Sequence, residues 1–189
     1  CIRDSKSTDH GKNWIEIKDG LPNSNLGKIG LAISPFDSTI LYAAVETDRR
    51  NGAVYKTTNS GGSWLKMSDT VSGATGPHYY QELVASPHVF DKIYLMDTKV
   101  QVSENGGKDF YIMNESDKHV DNHSLTFKMS DPNYLLIGTD GGVYESFDDT
   151  NSWKFVANLP LTQFYKLAVD DAYPFYNIFV GTQDNNTQG

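Results

Sequence analysis

The stretch KTTNSGGSW, residues 56–64, sets hydroxyl, amide and glycine residues between two apolar segments and closes on a tryptophan. Near-copies stand at three other places along the chain. Aligned on the third position of the turn, they read Ser7-x-Asp9-x-Gly11-x-Asn13-Trp14, Thr57-x-Asn59-x-Gly61-x-Ser63-Trp64, Ser103-x-Asn105-x-Gly107-x-Asp109-Phe110 and Ser146-x-Asp148-x-Thr150-x-Ser152-Trp153. The third positions, residues 9, 59, 105 and 148, are spaced 50, 46 and 43 residues apart. A repeat of roughly 40–50 residues that carries several short strands is the sequence form of a propeller blade or a comparable array.

Between the turns the apolar residues alternate or run in short blocks of Val, Ile, Leu, Tyr and Phe, bounded by Pro, Asp, Asn and Gly, which is strand punctuation. No segment has a helical period. Strands are predicted over 28–33, 40–45, 53–57 and 64–67 in the first full unit, over 81–85, 92–96, 100–103 and 110–113 in the second, and over 124–128, 134–138, 143–146 and 153–156 in the third. The turn Ser34-Pro35-Phe36-Asp37 between the first two strands recurs as Ser86-Pro87-His88-Val89 and Ser130-Asp131-Pro132-Asn133. The predicted fold is therefore all-β: a β-propeller of four-stranded antiparallel blades, present as an incomplete propeller, about half of a ring. Residues 1–18 form the end of one blade, 28–67, 80–113 and 124–156 whole blades, and 164–189 the start of another. That is fewer than most rings need, and open strand edges invite further pairing. The expectation is a piece of a longer polypeptide whose remaining blades complete the ring; a start without Met or an apolar leader fits a mature or excised piece.

Composition excludes several function classes. The chain is 38% hydrophobic and 21% charged, as ordinary globular domains are. Its net charge of -8 leaves no basic stripe to neutralise phosphates, so nucleic acid is not an expected partner. Apolar runs fall far short of the roughly 20 residues that span a bilayer, so no membrane span is expected. The single cysteine, Cys1, has no internal partner. Aromatic residues make up 12% of the chain, which suits both sheet packing and stacking on sugars or peptides.

The four turns resemble the Asp-box, or BNR repeat, with its pattern Ser-x-Asp-x-Gly-x-Thr-Trp, found in sialidases, xyloglucanase-type glycoside hydrolases and sortilin-type (VPS10-type) receptor propellers. The segments HVDNHSLTF, DPNYLLIGTDGGVYESFDD and NLPLTQFYKLAVDDAYPFYNIFVGTQDNN look more narrowly like the large exported bacterial proteins with sortilin-like, xyloglucanase-like propellers. The resemblance implies a secreted, periplasmic or cell-surface location and a glycan or peptide ligand. It departs from the pattern at Thr150, where Gly is expected, and at Asn59 and Asn105, where Asp is. Sialidases also clamp a carboxylate with three arginines, and this chain offers only Arg3, Arg49 and Arg50.

The turn's own chemistry reads as structural. Ser7, Thr57, Ser103 and Ser146, with Asp9, Asn59, Asn105 and Asp148, are expected to bond the turn's amides. Gly11, Gly61 and Gly107 supply a positive φ, and Trp14, Trp64, Phe110 and Trp153 pack between sheets. Function is then expected on the opposite face. In a meander the connections alternate between the two ends of the sheet, so those between strands 2 and 3, and between blades, share the other end. They carry His78, Tyr79 and Tyr80; His119, Asp121 and His123; Asp48, Arg49 and Arg50; Asp97; Asp140; and Gln183, Asp184 and Asn185. Residues just ahead of the innermost strand lie near the central channel, where propellers bind ligands.

On this face the ligand-binding candidates are His78, Tyr79, Tyr80, His119, His123, Arg49, Gln183 and Asn185, holding glycan or peptide with Tyr79 and Tyr80 as sugar platforms. The alternative is a glycoside hydrolase acting on β-glucan, with Asp121, Asp140 and Asp184 as candidate catalytic carboxylates. A third reading makes His119, Asp121 and His123 local braces and Asp140-Gly-Gly a plain hairpin turn. His119, Asp121 and His123 at alternate positions of an extended segment would also share a side, as a metal site requires, but a further ligand is not apparent, and no metal or cofactor is implied. The glycosylation pattern at Asn114, Asn122 and Asn185 is common by chance.

Overall fold

The computed structural model of the chain describes residues 5–23, 26–48, 51–71, 80, 82–159, 162–182 and 187–188. Among the described residues all regular structure is strand, and no helix is long and apolar enough to cross a membrane. A hairpin of β1 (Ser5–Lys6) and β2 (Ile15–Glu16) leads into three four-stranded sheets. These are β3 (Ile29–Ile33), β4 (Leu41–Asp48), β5 (Asn51–Thr57) and β6 (Leu65–Ser68); then β7 (Leu83–Ala85), β8 (Ile93–Leu95), β9 (Gln101–Ser103) and β10 (Tyr111–Ile112); then β11 (Asn122–Phe127), β12 (Leu135–Thr139), β13 (Gly142–Ser146) and β14 (Lys154–Phe155). Within each sheet, consecutive strands pair antiparallel in chain order, which is the blade meander. A last sheet holds β15 (Phe164–Val169), β16 (Ile178–Thr182) and β17 (Thr187–Gln188). The short β17, pairing Thr187 with Gly181 and Gln188 with Val180, is a strand that the polar run QDNNTQG gave no pattern for.

The strands of the middle sheets read as apolar blocks because both of their faces are covered. On the second sheet Ile93 and Leu95 point one way, into a cluster with Tyr42, Ala44 and Val54 of the first sheet. Tyr94 and Met96, at the alternate positions, join Leu125, Leu135, Ile137 and Trp153 of the third. The first sheet likewise turns Ala43, Val45 and Tyr55 to its other face, where they pack with Leu26 and Trp64. Side chains alternate across a strand, so a sheet sandwiched between two others carries apolar residues at every position.

Three of the four repeated turns carry their aromatic toward the preceding strands. Trp153 is 7% exposed, in the cluster shared with the second sheet, and its Nε1–H donates to the Asn114 carbonyl at 2.9 Å. Phe110 packs on the cluster shared with the first sheet. Trp64 borders a cavity of about 320 Å³ under the β1–β2 hairpin, lined also by Trp14, Ile17, Leu21 and Leu31. Trp14 stays 62% exposed, since the described residues include no sheet ahead of β1 for it to meet. Lysines latch the same end of the stack. Lys6 Nζ donates to the Ser60 carbonyl at 2.6 Å, Lys56 Nζ bonds both Asp91 oxygens at 2.7 Å, and Lys92 Nζ reaches Asp149 at 3.2 Å. Each of these joins one sheet to the next.

All four turns use one set of bonds. The leading hydroxyl accepts from the amide of the fifth residue: Gly11 to Ser7 at 2.7 Å, Gly61 to Thr57 at 3.1 Å, Gly107 to Ser103 at 2.8 Å and Thr150 to Ser146 at 2.9 Å. The Asp or Asn side chain accepts from the amide four residues on: Asn13 to Asp9, Ser63 to Asn59, Asp109 to Asn105 and Ser152 to Asp148, all within 2.9–3.0 Å. Closing these rings needs left-handed backbone at the fifth residue, with φ of 82° at Gly11, 79° at Gly61, 95° at Gly107 and 73° at Thr150. A β-branched residue is strained there by about 1 kcal/mol or more.

Thr150→Gly therefore raises the midpoint of chemical denaturation, its unfolding free energy growing by up to about 1 kcal/mol after the greater chain entropy of Gly is set against the relieved strain. Gly107→Ala lowers it, because the new methyl would stand 2.6 Å from Val54 Cγ1 at a positive φ. Equal midpoints for the two variants and the parent would contradict the turn geometry.

The carboxyls of the first and fourth turns are both held below the ordinary value of 3.8. The Asn13 amide contributes most for Asp9, followed by the Asn13 side chain; for Asp148 the Ser152 hydroxyl contributes most, followed by the Ser152 amide. A lowered folded value means that the stabilisation is fully present above the ordinary value and is lost as pH falls through the lowered one. Asn59 and Asn105 have no charge to lose. Acid below pH 3.8 is thus expected to lower the hydrogen-exchange protection, taken relative to the intrinsic rate at each pH, of the Asn13 and Ser152 amides before those of Ser63 and Asp109; a uniform response of all four turns would sink this.

Candidate functional site

Among the described residues, three of the connections that alternate away from the repeated turns meet at the junction of the second and third sheets. Asp121 N–H donates to the Thr98 carbonyl at 2.9 Å, Asn122 N–H to the Asp97 carbonyl at 3.1 Å, and Asp140 N–H to the Asp121 carbonyl at 3.1 Å. These bonds tie the β8–β9 turn of one sheet to the lead-in of β11 and the β12–β13 turn of the next. Tyr80, ahead of β7, reaches the same point and donates its hydroxyl to Asp121 Oδ1 at 2.7 Å.

The site's side chains form two linked pairs. His123 Nε2 lies 2.8 Å from Asp140 Oδ1, so an N–H there donates to the carboxylate. The imidazole is stacked on the Tyr80 ring, with centroids 5.4 Å apart and planes 21° from parallel. Tyr80 is 3% exposed, whereas the His123 side chain is 38% exposed and that of Asp140 12%. The expected sugar platform is thus covered: Tyr80 supports the ring of His123, and it is His123 that faces outward. Burial first, and then the hydrogen bond to Asp121, push the Tyr80 phenol well above its ordinary range. It remains a proton donor to Asp121 across the physiological range.

Of the residues expected here, Tyr80, His119, Asp121, His123 and Asp140 come together. His119 joins through its ring, whose Nδ1–H donates to the Val120 carbonyl at 2.7 Å beside Gly141. A Cβ on Gly141 would stand 2.6 Å from the His119 side chain, so only glycine admits that ring. Arg49, His78, Tyr79, Gln183, Asp184 and Asn185 lie outside the described residues. The alternating arrangement considered for His119, Asp121 and His123 is not adopted, because Asp121 has a φ of 61° and breaks the extended run. Their side chains go to three different partners. Among the described residues no group of three His, Cys, Asp or Glu is arranged to hold a metal ion.

Three residues of the site escaped the sequence. Asn122 is fully buried, its side chain donating to the Asp97 carbonyl at 3.2 Å and the Thr98 carbonyl at 2.9 Å. It cannot take a glycan in the folded chain, whatever its pattern. Lys118 donates to Asn122 Oδ1 at 2.6 Å and pairs with Glu115 at 3.2 Å, with its own side chain wholly buried. Burial pushes the Lys118 amine down from its ordinary range, against the opposing pull of Glu115. A Lys within the polar run NESDKHVDNH carries no sequence sign of burial.

No protein-family model and no curated protein matches the chain. Solved structures do. The GH74 xyloglucanase of Xanthomonas campestris is similar over 94% of this chain and 30% of its own, at 19% identity and a TM-score of 0.63. The GH74 enzyme of Niastella koreensis is similar over 82% of this chain and 26% of its own, at 15% identity and a TM-score of 0.59. An ancestral GH74 enzyme is similar over 99% of this chain and 28% of its own, at 17% identity and a TM-score of 0.55. The likeness is one of fold: the chain has the propeller architecture of these enzymes and spans under a third of each.

Stacking on Tyr80 places the His123 ring protons in the shielding region of the phenol. Tyr80→Leu is expected to move the His123 imidazole resonance downfield, toward that of a free histidine, in a proton NMR spectrum. An unmoved resonance would show that the two rings are not stacked in solution.

Proposed function

We propose that the chain is a segment of a BNR-type propeller, related to the sortilin-like and xyloglucanase-like group, that binds carbohydrate or peptide at the second-to-third sheet junction. One observation carries the reading. The exposed His123 imidazole is held on two sides, by the Tyr80 ring and the Asp140 carboxylate, beside a second carboxylate, Asp121. A pre-set ring edge flanked by acceptors suits a ligand rich in hydroxyl donors, because little ordering remains to be done on binding. Sugar hydroxyls meet that description, and so do the amides of an extended peptide. The larger protein would be exported, and its remaining blades would complete the ring and the channel.

Glycoside hydrolysis is the second reading, favoured by the fold that the chain shares with GH74 xyloglucanase structures. An inverting mechanism needs an acid and a base about 6.5–9.5 Å apart with a water between them. Among the described residues, Asp140, held by His123, and Asp121, accepting from the Tyr80 hydroxyl, are the junction carboxylates available for one of those roles. The chain spans 30% of the Xanthomonas enzyme, so the partner carboxylate would come from elsewhere in the polypeptide, or from Asp184.

The test uses the full-length protein and β-glucan oligosaccharides, xyloglucan fragments included, with isothermal titration and reducing-end release measured together. His123→Ala is expected to weaken binding tenfold or more, about 1.4 kcal/mol, and Asp140→Asn to weaken it less. Release of reducing ends that Asp121→Asn or Asp140→Asn abolishes while binding persists would establish hydrolysis. If His123→Ala leaves the affinity for every bound oligosaccharide unchanged, the junction is not the site.

A further inference from the structure

We propose that Lys118 is a positioning residue for this junction, acting through Asn122 to hold Asp121, Tyr80 and His123 in register across two sheets. The proposal rests on the reading of the junction as a binding site and names the group that sets it.

The bonds run in one direction. Lys118 Nζ, buried and paired with Glu115, donates to Asn122 Oδ1 at 2.6 Å. With its oxygen fixed, the Asn122 amide can present its N–H groups only one way. They reach the carbonyls of Asp97 and Thr98 and, at 3.2 Å, Glu115 Oε1. The same two carbonyls take the backbone N–H groups of Asn122 and Asp121. The lead-in of β11 is thus bolted to the β8–β9 turn of the preceding sheet by bonds on both sides of Asp121. That clamp holds Asp121 in left-handed backbone, with its carboxylate on the Tyr80 hydroxyl. Tyr80 in turn carries His123, the residue after Asn122.

Stability alone does not account for this cluster. A buried ion pair recovers little more than its desolvation cost, and apolar residues of the same volume commonly do as well or better. Glu115 also leaves Oε2 buried with no hydrogen-bond partner among the described residues, a further cost. What an apolar replacement cannot do is fix the orientation of an amide. Glu115 Oε1 meanwhile accepts from Val100 N–H at 2.8 Å at the start of β9, so the anchor is itself held by the sheet against which it positions the site.

The experiment compares two variants of the full-length protein. Lys118→Met with Glu115→Gln removes both charges at near-constant volume and keeps an acceptor for Val100, so the interior holds no unpaired charge. Asn122→Ser leaves the ion pair intact and removes the amide. In each, the His123 imidazole resonance, assigned by its loss in His123→Gln, is expected to shift downfield toward that of free histidine, with the thermal midpoint of the double variant within a few degrees of the parent. Affinity for a β-glucan oligosaccharide is expected to fall several-fold.

A His123 resonance that stays in place in the folded double variant overturns the proposal, as does a shift seen only with Asn122→Ser. If the double variant does not fold, Lys118→Gln with Glu115→Gln takes its place and is judged by the same resonance. Loss of folding in both would show the cluster to be structural and would also overturn it. Absence of glycan binding in the parent, with the His123 shift behaving as expected, would count against the proposed function and leave the positioning role standing.

Discussion

The second sheet of this chain has two apolar faces and cannot cover either by itself. Ile93 and Leu95 need the first sheet, and Tyr94 and Met96 need the third. Burial of such side chains is worth about 25 cal/mol per Å² of apolar surface, and here it is obtained only by stacking. The rest of the architecture serves that stack. The repeated turns aim Phe110 and Trp153 into the seams, and Lys6, Lys56 and Lys92 close the seams at the turn end. The opposite end of the second seam is closed by backbone bonds among Asp97, Thr98, Asp121 and Asn122 instead.

That difference between the two ends explains where chemistry gathers. At the turn end the polar groups satisfy one another within a hairpin or pair with a lysine from the neighbouring sheet, and little is left over. At the other end loops from two sheets interlock, and their polar side chains must be paired in a confined space. The result is a small network of Tyr80, Asp121, His123 and Asp140 with one imidazole facing outward. Buried polar groups in such places are costly unless bonded, so the network is specific by necessity.

The fold was legible because its signals are periodic. Four turns at near-constant spacing identify the sheets, and the alternation between them places the strands to within a few residues: 124–128 was expected where β11 runs from Asn122 to Phe127, the difference lying at the irregular pairing between Asn122 and Ser124. The meeting of Tyr80, Asp121, His123 and Asp140 followed from topology, since alternate connections share an end. Burial did not follow. Tyr80 and Lys118 sit in polar segments where the sequence gives no count of the atoms around them; Tyr80 takes its role from Asp121, 41 residues away, and Lys118 is buried although its partner Asn122 stands only four residues on. A third strand in the last sheet, β17, rests on backbone pairing without an apolar pattern to announce it.

The interlocked loops at the second seam also act as an alignment gauge. Two sheets stacked through apolar side chains alone can slide, because such contacts are not directional. Moving the third sheet along the second by one residue, roughly 3.3 Å, would part Asp121 from Thr98 and Asn122 from Asp97 together, and Tyr80 from Asp121 with them. A molecule that binds only the assembled network would therefore hold the two sheets at a single offset, so that occupancy at this small surface and shear stiffness of the whole stack become one property.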